Sequence, residues 1–122
     1  MRRGHKTLTQ MVEVAESRGE SKRGNWLVEY SVKGLEGTID LGYKKIERKQ
    51  AFYRIYHWGK LILEIEERQK DIGYGHTYHV DYIYGESVSD ARAINALLDY
   101  FGIGSKRYTF KPVNGGFQEV VK

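Results

Sequence analysis

The chain has 122 residues, with 20 lysines and arginines against 16 aspartates and glutamates, a formal net charge of +4 at pH 7, and no cysteine. This length fits one domain spanning residues 1–122. The lack of cysteine excludes disulfides, thiolate catalysis and cysteine-ligated metal sites, and it is typical of a reducing, cytoplasmic compartment. Because no window of about eighteen apolar residues and no signal-peptide pattern occurs, we expect a soluble protein with no membrane partner.

The charge is distributed unevenly along the chain. Basic residues predominate in residues 1–24, 44–54 and 105–122, whereas residues 72–104 carry mainly acidic groups. A modestly basic chain with basic segments is compatible with an acidic partner such as nucleic acid.

The first predicted element is a helix over residues 8–18, because Leu8, Met11, Val12 and Ala15 recur at helical spacing. Its start, Thr7-Leu8-Thr9-Gln10, is typical of a capping box. The segment 18–24 is polar and contains two glycines. We expect it to be a loop and, like residues 1–6, to be flexible.

Alternating apolar residues then predict strands at 25–33 and 38–43, which the glycines of "KGLEG" would join as a hairpin. Residues 44–50, "KKIERKQ", fit either a helical turn or a continued strand. The strand patterns at 52–57 and 61–67 flank Trp58-Gly59-Lys60, which predicts a second hairpin.

The stretch 73–86, "GYGHTYHVDYIYGE", predicts a further strand with two different faces. Alternation places His76, Tyr78, Val80, Tyr82 and Tyr84 on one face, and we expect Tyr78, Val80 and Tyr82 to pack against a following helix. The opposite face carries Thr77, His79, Asp81 and Ile83.

That second helix is predicted over residues 89–101. Ser87 to Asp90 form a capping-box-like start, Gly102 ends the helix, and Ile103 is placed for the apolar contact of a Schellman motif. Strand patterns at 107–113 and 117–121 around Asn114-Gly115 predict a hairpin with a two-residue type I′ turn. Together these elements predict an antiparallel α+β fold of five to seven strands, with both helices on one face of the sheet.

One functional hypothesis is general acid/base catalysis. His79 and Asp81 share a strand face, so the carboxylate could orient the imidazole. With His57 as the second acid/base group and Arg54 stabilising a phosphorane-like transition state, these residues would form a metal-independent ribonuclease site. The alternative is that His79 and Asp81 form a solvated strand face.

We expect no metal and no cofactor. Alternation places His76 on the face opposite His79, so these histidines and Asp81 cannot form one metal site. The sequence also contains no P-loop, Rossmann glycine fingerprint, Gly-x-Ser-x-Gly elbow or His-Glu-x-x-His motif.

A second functional hypothesis is nucleic-acid binding, in which exposed aromatic rings stack on bases and basic side chains contact phosphates. The alternatives are that the tyrosines pack in the core and that the basic residues are ordinary solubilising charges. The candidate binding residues are Lys44, Lys45, Arg48, Lys49, Arg54, Arg2, Arg3, Lys22, Arg23 and Tyr84.

The segments "HWGKLILEIEE" and "HTYHVDYIYGESVSDARAINALLDYFGI" resemble a family of small, functionally unassigned proteins of phages and other mobile elements. The resemblance covers residues 52–103, where a strand ending near Tyr-Gly precedes the pattern S-x-(S/T)-x-x-(A/R)-x-x-(I/N)-x-x-L. It implies an accessory protein of viral type in the host cytoplasm. Such proteins bind nucleic acid or a host machine, and inhibitors of CRISPR-type nuclease defence are prominent among them.

The leading hypothesis is therefore a non-enzymatic binding protein that acts on nucleic acid or on a nucleic-acid-handling host protein. The alternatives are the ribonuclease and a structural or self-assembling virion component. A homodimer is included among the expected partners because the strand at 117–121 could pair with a second copy at a sheet edge.

Overall fold

The structure is a computed structural model that describes residues 6–40, 42, 45–69, 76–104, 106–111 and 116–120. The elements in chain order are α1 (Lys6–Arg18), β1 (Glu20–Arg23), β2 (Trp26–Asp40), β3 (Lys45–His57), β4 (Lys60–Gln69), β5 (His76–Ile83), α2 (Val88–Tyr100), β6 (Arg107–Lys111) and β7 (Gly116–Val120). The predicted antiparallel α+β class is confirmed.

The main sheet has five antiparallel strands in the order β1-β2-β3-β4-β5, and β6 pairs with β7 as a separate two-stranded sheet. Consecutive strands are neighbours throughout the main sheet, so it forms a meander whose ends are β1 and β5.

Both helices lie on one face of the main sheet, called here the helix face. Their apolar stripes contact one row of sheet side chains, which includes Val28, Tyr53, Ile55, Leu63 and Ile65. Each such buried side chain contributes roughly 1.5–3 kcal/mol to stability. The opposite face, called here the open face, carries the alternate residues of the same strands.

The ends of α2 match their prediction in detail. Ser87 is the N-cap, and its Oγ accepts a hydrogen bond from the Asp90 amide at 3.1 Å. At the other end Gly102 has φ 73°, and the Ile103 amide donates to the Leu98 carbonyl at 2.9 Å. This 6→1 bond defines a Schellman motif.

The predicted organisation of residues 18–43 is wrong in two places. Residues 20–23 form β1 instead of a loop, because β1 pairs with the start of β2. The segment containing "KGLEG" does not turn the chain back. Strand β2 continues to Asp40 and pairs with β3, and a register shift falls between Gly34 and Thr38. Residues 45–50 accordingly belong to a strand, the second of the two alternatives.

Strand β5 contains an irregularity that changes which side chains face the helices. Val80 lies opposite Ile65 and Tyr82 lies opposite Glu64, so Asp81 is an extra residue in the pairing. Tyr78 packs on α2 as expected, with its ring 5.1 Å from that of Phe101. Tyr82 is shifted to the open face and is 43% exposed, so the expectation that it packs against α2 is wrong.

The terminal hairpin is confirmed, but its register differs from the prediction. Lys111 pairs with Gly116, which leaves four connecting residues, whereas a two-residue turn at Asn114-Gly115 would pair residue 113 with residue 116. Residues 112–115 lie outside the described part of the chain. The Asn95 side chain joins the hairpin to α2, since it donates to the Tyr108 carbonyl at 2.8 Å and accepts from the Tyr108 amide at 2.9 Å.

Within the described ranges, neither helix is long and apolar enough to cross a membrane.

Candidate functional site

The link between β3 and β4 is a two-residue turn with an unusual residue in it. His57 pairs with Lys60, and the intervening Trp58 and Gly59 have φ of 55° and 77°. Positive φ at both central positions defines a type I′ turn, which favours asparagine, aspartate or glycine at the first position. Tryptophan at that position is conformationally costly, and its side chain is 70% exposed.

The base of this turn is held by a buried imidazole–carboxylate pair. His57 Nδ1 lies 2.6 Å from Asp90 Oδ1, and the two residues are only 9% and 4% exposed. The other Asp90 oxygen, Oδ2, accepts a hydrogen bond from the Glu86 amide at 2.9 Å. The pair therefore ties the end of β3 to the first turn of α2.

Trp26 holds the other side of the imidazole. Its ring is parallel to that of His57, with a centroid separation of 3.7 Å and an interplanar angle of 3°. The Trp58 amide also donates to the Asn25 carbonyl at 2.9 Å, which joins the β3–β4 turn to the β1–β2 turn. The exposed Trp58 ring is thus mounted on a rigid corner of the sheet.

A cleft of about 540 Å³ lies against this corner. It combines aromatic, apolar, basic and acidic groups, and its lining residues are Lys22, Gly24, Asn25, Trp26, Leu27, Glu29, Tyr56, Trp58 and Gly59. Lys22, Leu27 and Tyr56 lie in one row across β1, β2 and β3. The pKa of Tyr56 is raised by partial burial and by its hydrogen bond to Glu29, so the hydroxyl stays protonated at neutral pH.

The rest of the open face carries paired charges. Arg54 Nε lies 2.5 Å from Glu64 Oε2, and the Arg54 guanidinium lies 5.3 Å from the centroid of the Phe52 ring. Arg68 Nε lies 2.8 Å from Glu66 Oε1. Arg54 is therefore engaged with Glu64 and Phe52 within the sheet, and its contact with phosphate or a transition state stays a prediction.

Towards β5 the open face becomes acidic. The pKa of Asp81 is raised by partial burial and then by repulsion from Glu66 and Glu64, with Arg68 and His79 acting in the opposite direction. This end of the open face is therefore less favourable for a phosphate than the end at β1.

The structure does not assemble the predicted ribonuclease group. His57 lies on the helix face with Asp90, whereas His79 lies on the open face with Asp81. The register places His79 two strands from β3 and five residues along from His57, roughly 19 Å away. Two groups this far apart cannot act on one phosphodiester, because each must lie within hydrogen-bonding reach of it.

The predicted basic patch is only partly described. Arg2, Arg3 and Lys44 lie outside the described residues, and so do the side chains of Lys45, Arg48 and Lys49. Lys22 and Arg23 are exposed on β1.

The remaining predicted binding residue, Tyr84, is exposed near the start of α2. Its hydroxyl donates to Glu86 Oε2 at 3.1 Å, and Lys60 Nζ lies 2.9 Å from Glu86 Oε1. Tyr84 is thus part of a surface hydrogen-bond network that includes a salt bridge.

Several tyrosines are engaged on the helix face with two carboxylates. Tyr30 donates to Glu67 Oε1 at 3.4 Å. The pKa of Tyr78 and of Tyr53 is raised chiefly by burial, with Glu67 and Glu16 adding to the effect. These hydroxyls are protonated hydrogen-bond donors in the packed layer and are not exposed stacking platforms.

The most prominent features of the site were missed in the sequence. Trp58 was assigned only to a link, although a tryptophan before glycine in a two-residue turn is itself an unusual pattern. The pairing of His57 with Asp90 joins residues 33 positions apart, and no local pattern reveals it. Among the described residues, no group of three or more histidine, aspartate or glutamate side chains could hold a metal ion.

Comparison with known proteins finds no matching family model, no matching curated protein and no matching solved structure.

Proposed function

We propose that the protein is a non-enzymatic module that binds single-stranded nucleic acid in the cleft beside Trp58. In this proposal a base stacks on the Trp58 ring and a neighbouring base contacts Tyr56. Lys22 and Arg23 on β1 contact the phosphates. The observation that supports it most is the exposed Trp58 ring in a backbone conformation that tryptophan rarely adopts.

The conformation of Trp58 argues for a role outside folding. An L-residue in the left-handed region costs about 1–2 kcal/mol, and a 70% exposed indole regains little of this by burial. Costly backbone conformations of this sort concentrate at ligand-binding sites. An aromatic ring presented on a rigid corner contributes about 1–3 kcal/mol of stacking per base in single-strand binding proteins.

The charge pattern of the open face indicates where the phosphate backbone of a bound single strand would lie. Lys22 lines the cleft beside Glu29, and the exposed Arg23 follows Lys22 on β1, while Glu64, Glu66 and Asp81 lie towards β5. A phosphate backbone is therefore favoured along β1, with its bases turned towards Trp58. Contacts of this kind depend strongly on salt concentration and weakly on base sequence.

The setting follows from the resemblance to phage and mobile-element proteins. A module of this type would occupy nucleic acid that a host defence nuclease needs, without cleaving it. The separation of His57 from His79 supports binding without cleavage.

The test is fluorescence anisotropy with labelled twelve-nucleotide DNA and RNA single strands at low salt. We expect Trp58→Ala to weaken binding by about 5- to 150-fold, which is the equivalent of about 1–3 kcal/mol of lost stacking. Tyr100→Ala is the matched control, because Tyr100 is an exposed aromatic residue on α2 away from the cleft.

A second pair of variants tests the basic side of the cleft. The double variant Lys22→Glu/Arg23→Glu should weaken binding and reduce the salt dependence, whereas Arg92→Glu on α2 should change neither. Equal affinities for wild type and Trp58→Ala, or cleavage of the labelled strand, would overturn the proposal.

A further inference from the structure

The second end of the main sheet, strand β5, has an exposed edge. Within the described part of the chain, β5 pairs with β4 alone and ends the sheet order. Residues 79–82 are all exposed, including Val80 at 39%. The outward backbone amides and carbonyls of such a strand can pair with another extended segment.

A groove of about 350 Å³ runs beside this edge on the helix face. Its walls are mainly apolar or aromatic, with Lys106 as the basic side chain, and the lining residues are Tyr78, His79, Val80, Leu98, Ile103, Lys106 and Tyr108. The volume is sufficient for one large apolar side chain. Strand β5 thus has an unfilled apolar groove beside its exposed edge.

We propose that the β5 edge binds an extended peptide segment of a partner protein as an added strand. One large apolar side chain of the peptide enters the groove between β5 and the side chains of Ile103, Lys106 and Tyr108. An acidic side chain two residues away on the same face of the peptide meets Lys106. Added-strand binding of this kind obtains affinity from main-chain hydrogen bonds and specificity from alternate side chains.

The basic side chain at the groove favours an acidic peptide. Lys106 is 65% exposed at the groove, and its Nζ lies 3.8 Å from Glu119, a distance longer than a hydrogen bond. A peptide carboxylate can therefore approach the ammonium group closely. Lys106 is the basic side chain at the groove, so an acidic peptide is favoured over a basic one.

The pairing of β5 with β4 also limits where the peptide can lie. Residues 76–80 pair with β4 in regular register, and the irregularity begins after Val80. Because a bulge disturbs the spacing of the outward groups, the added strand would align with residues 76–80, the part of β5 that borders the groove. This surface lies beside β5 on the helix face, whereas the cleft at Trp58 is lined by residues of β1, β2 and β3 and their turns, so the inference does not rest on the proposed nucleic-acid function.

The experiment is a ¹⁵N–¹H NMR titration of the full chain with three synthetic peptides. The probe is acetyl-Thr-Glu-Val-Phe-Val-Glu-Thr-amide. The second peptide replaces both glutamates with lysine, and the third replaces both valines with proline. With the probe we expect saturable shifts at Thr77 to Val80 and at Ile103 to Tyr108, complete below about 1 mM peptide.

A charge exchange makes the result specific. Lys106→Glu should weaken binding of the acidic probe by about two- to fivefold, as expected for the loss of one exposed ion pair, and it should strengthen binding of the lysine peptide. Lys22→Glu is the matched control and should leave peptide binding unchanged. The proline peptide should bind more weakly than the probe, because two of its backbone N–H donors are removed and proline disfavours an added strand.

Three outcomes would overturn the inference. These are an absence of shifts at β5 with the acidic probe, shifts confined to the Trp58 corner, and a dimer in light scattering whose β5 amides are protected from hydrogen exchange. Equal oligonucleotide affinities for wild type and Trp58→Ala would overturn the nucleic-acid proposal without altering the peptide result, so the two proposals fail separately.

Discussion

The buried pair of His57 and Asp90 makes a quantitative prediction that a double-mutant cycle can test. The variants are His57→Phe, which keeps a flat ring beneath Trp26, Asp90→Ala, and the combination of the two. Asp90→Ala also removes the acceptor of the Glu86 amide. Because this loss occurs both in the single and in the double variant, it cancels from the coupling energy.

The expected magnitude follows from the geometry. A buried hydrogen bond to a charged group contributes about 1.5–3 kcal/mol, and the pair has a 2.6 Å separation with both partners buried. We expect each single variant to lose about 2–4 kcal/mol, with a coupling energy of about 1.5–3 kcal/mol. At about 2.1 cal/mol/K per residue, a loss of 2 kcal/mol in 122 residues lowers the Tm by about 8 °C.

The assay is urea denaturation followed by circular dichroism, with the Tm measured in parallel. The matched control is a cycle on Lys60 and Glu86, an exposed ion pair at 2.9 Å, whose coupling should be close to zero. If the His57–Asp90 cycle gave a coupling no larger than this control, the pair would not hold the turn to α2, and the argument for a rigid Trp58 corner would lose its basis.

Three further predictions follow from the same structure. Trp58→Asn should raise stability by about 1 kcal/mol in urea denaturation, because asparagine suits the type I′ turn, while it weakens oligonucleotide binding as Trp58→Ala does; a destabilised variant would contradict the strain argument. The raised pKa of Asp81 means that the native state holds the proton of the Asp81 carboxyl group more tightly than the unfolded chain does. Stability therefore decreases as the pH rises through the range between the unfolded and the folded pKa of Asp81. Asp81→Asn should therefore raise the Tm at pH 7 and give no gain below about pH 4, whereas Asp99→Asn, which breaks an ion pair, should give no gain at pH 7. Gly85→Ala should cost about 1–3 kcal/mol, because its Cβ would lie 2.5 Å from Phe117 Cδ1; an unchanged Tm would show that the ring moves aside freely.

The parts of the fold that the sequence predicts well are those with local signals. The start and end of α2 depend on Ser87, Asp90 and Gly102, which act within a few residues of one another. The hairpin of β3 and β4 likewise has its signal in the glycine of its turn.

The errors concern elements whose partners are distant in sequence. Segment 20–23 has the composition of a loop and becomes a strand only through pairing with β2. The glycines near residue 34 suggested a turn, but the long pairing of β2 with β3 overrides this local preference. The irregularity at Asp81 interrupts the alternation that sequence reasoning assumed to be continuous, and Tyr82 was therefore placed on the wrong face.

The candidate site was predictable only in part for the same reason. The sequence identifies Lys22 as a basic residue, but its position beside Tyr56 depends on the register of three strands. His57 was identified as chemically interesting, yet its partner Asp90 was assigned only to the helix start. A cleft formed by two adjacent turns leaves no continuous pattern in the sequence.

The most direct test of the central claim uses the emission of Trp58 itself. The chain has two tryptophans, so Trp26→Phe leaves Trp58 as the only tryptophan, with emission that can be excited selectively over that of tyrosine, while a ring remains stacked on His57. Titration with a twelve-nucleotide single strand at low salt should quench this emission to saturation, and added salt should restore it, since stacking on an exposed indole accompanies phosphate contact. Binding of the strand with unchanged Trp58 emission, or no binding at all, would contradict the assignment of this corner as the nucleic-acid site.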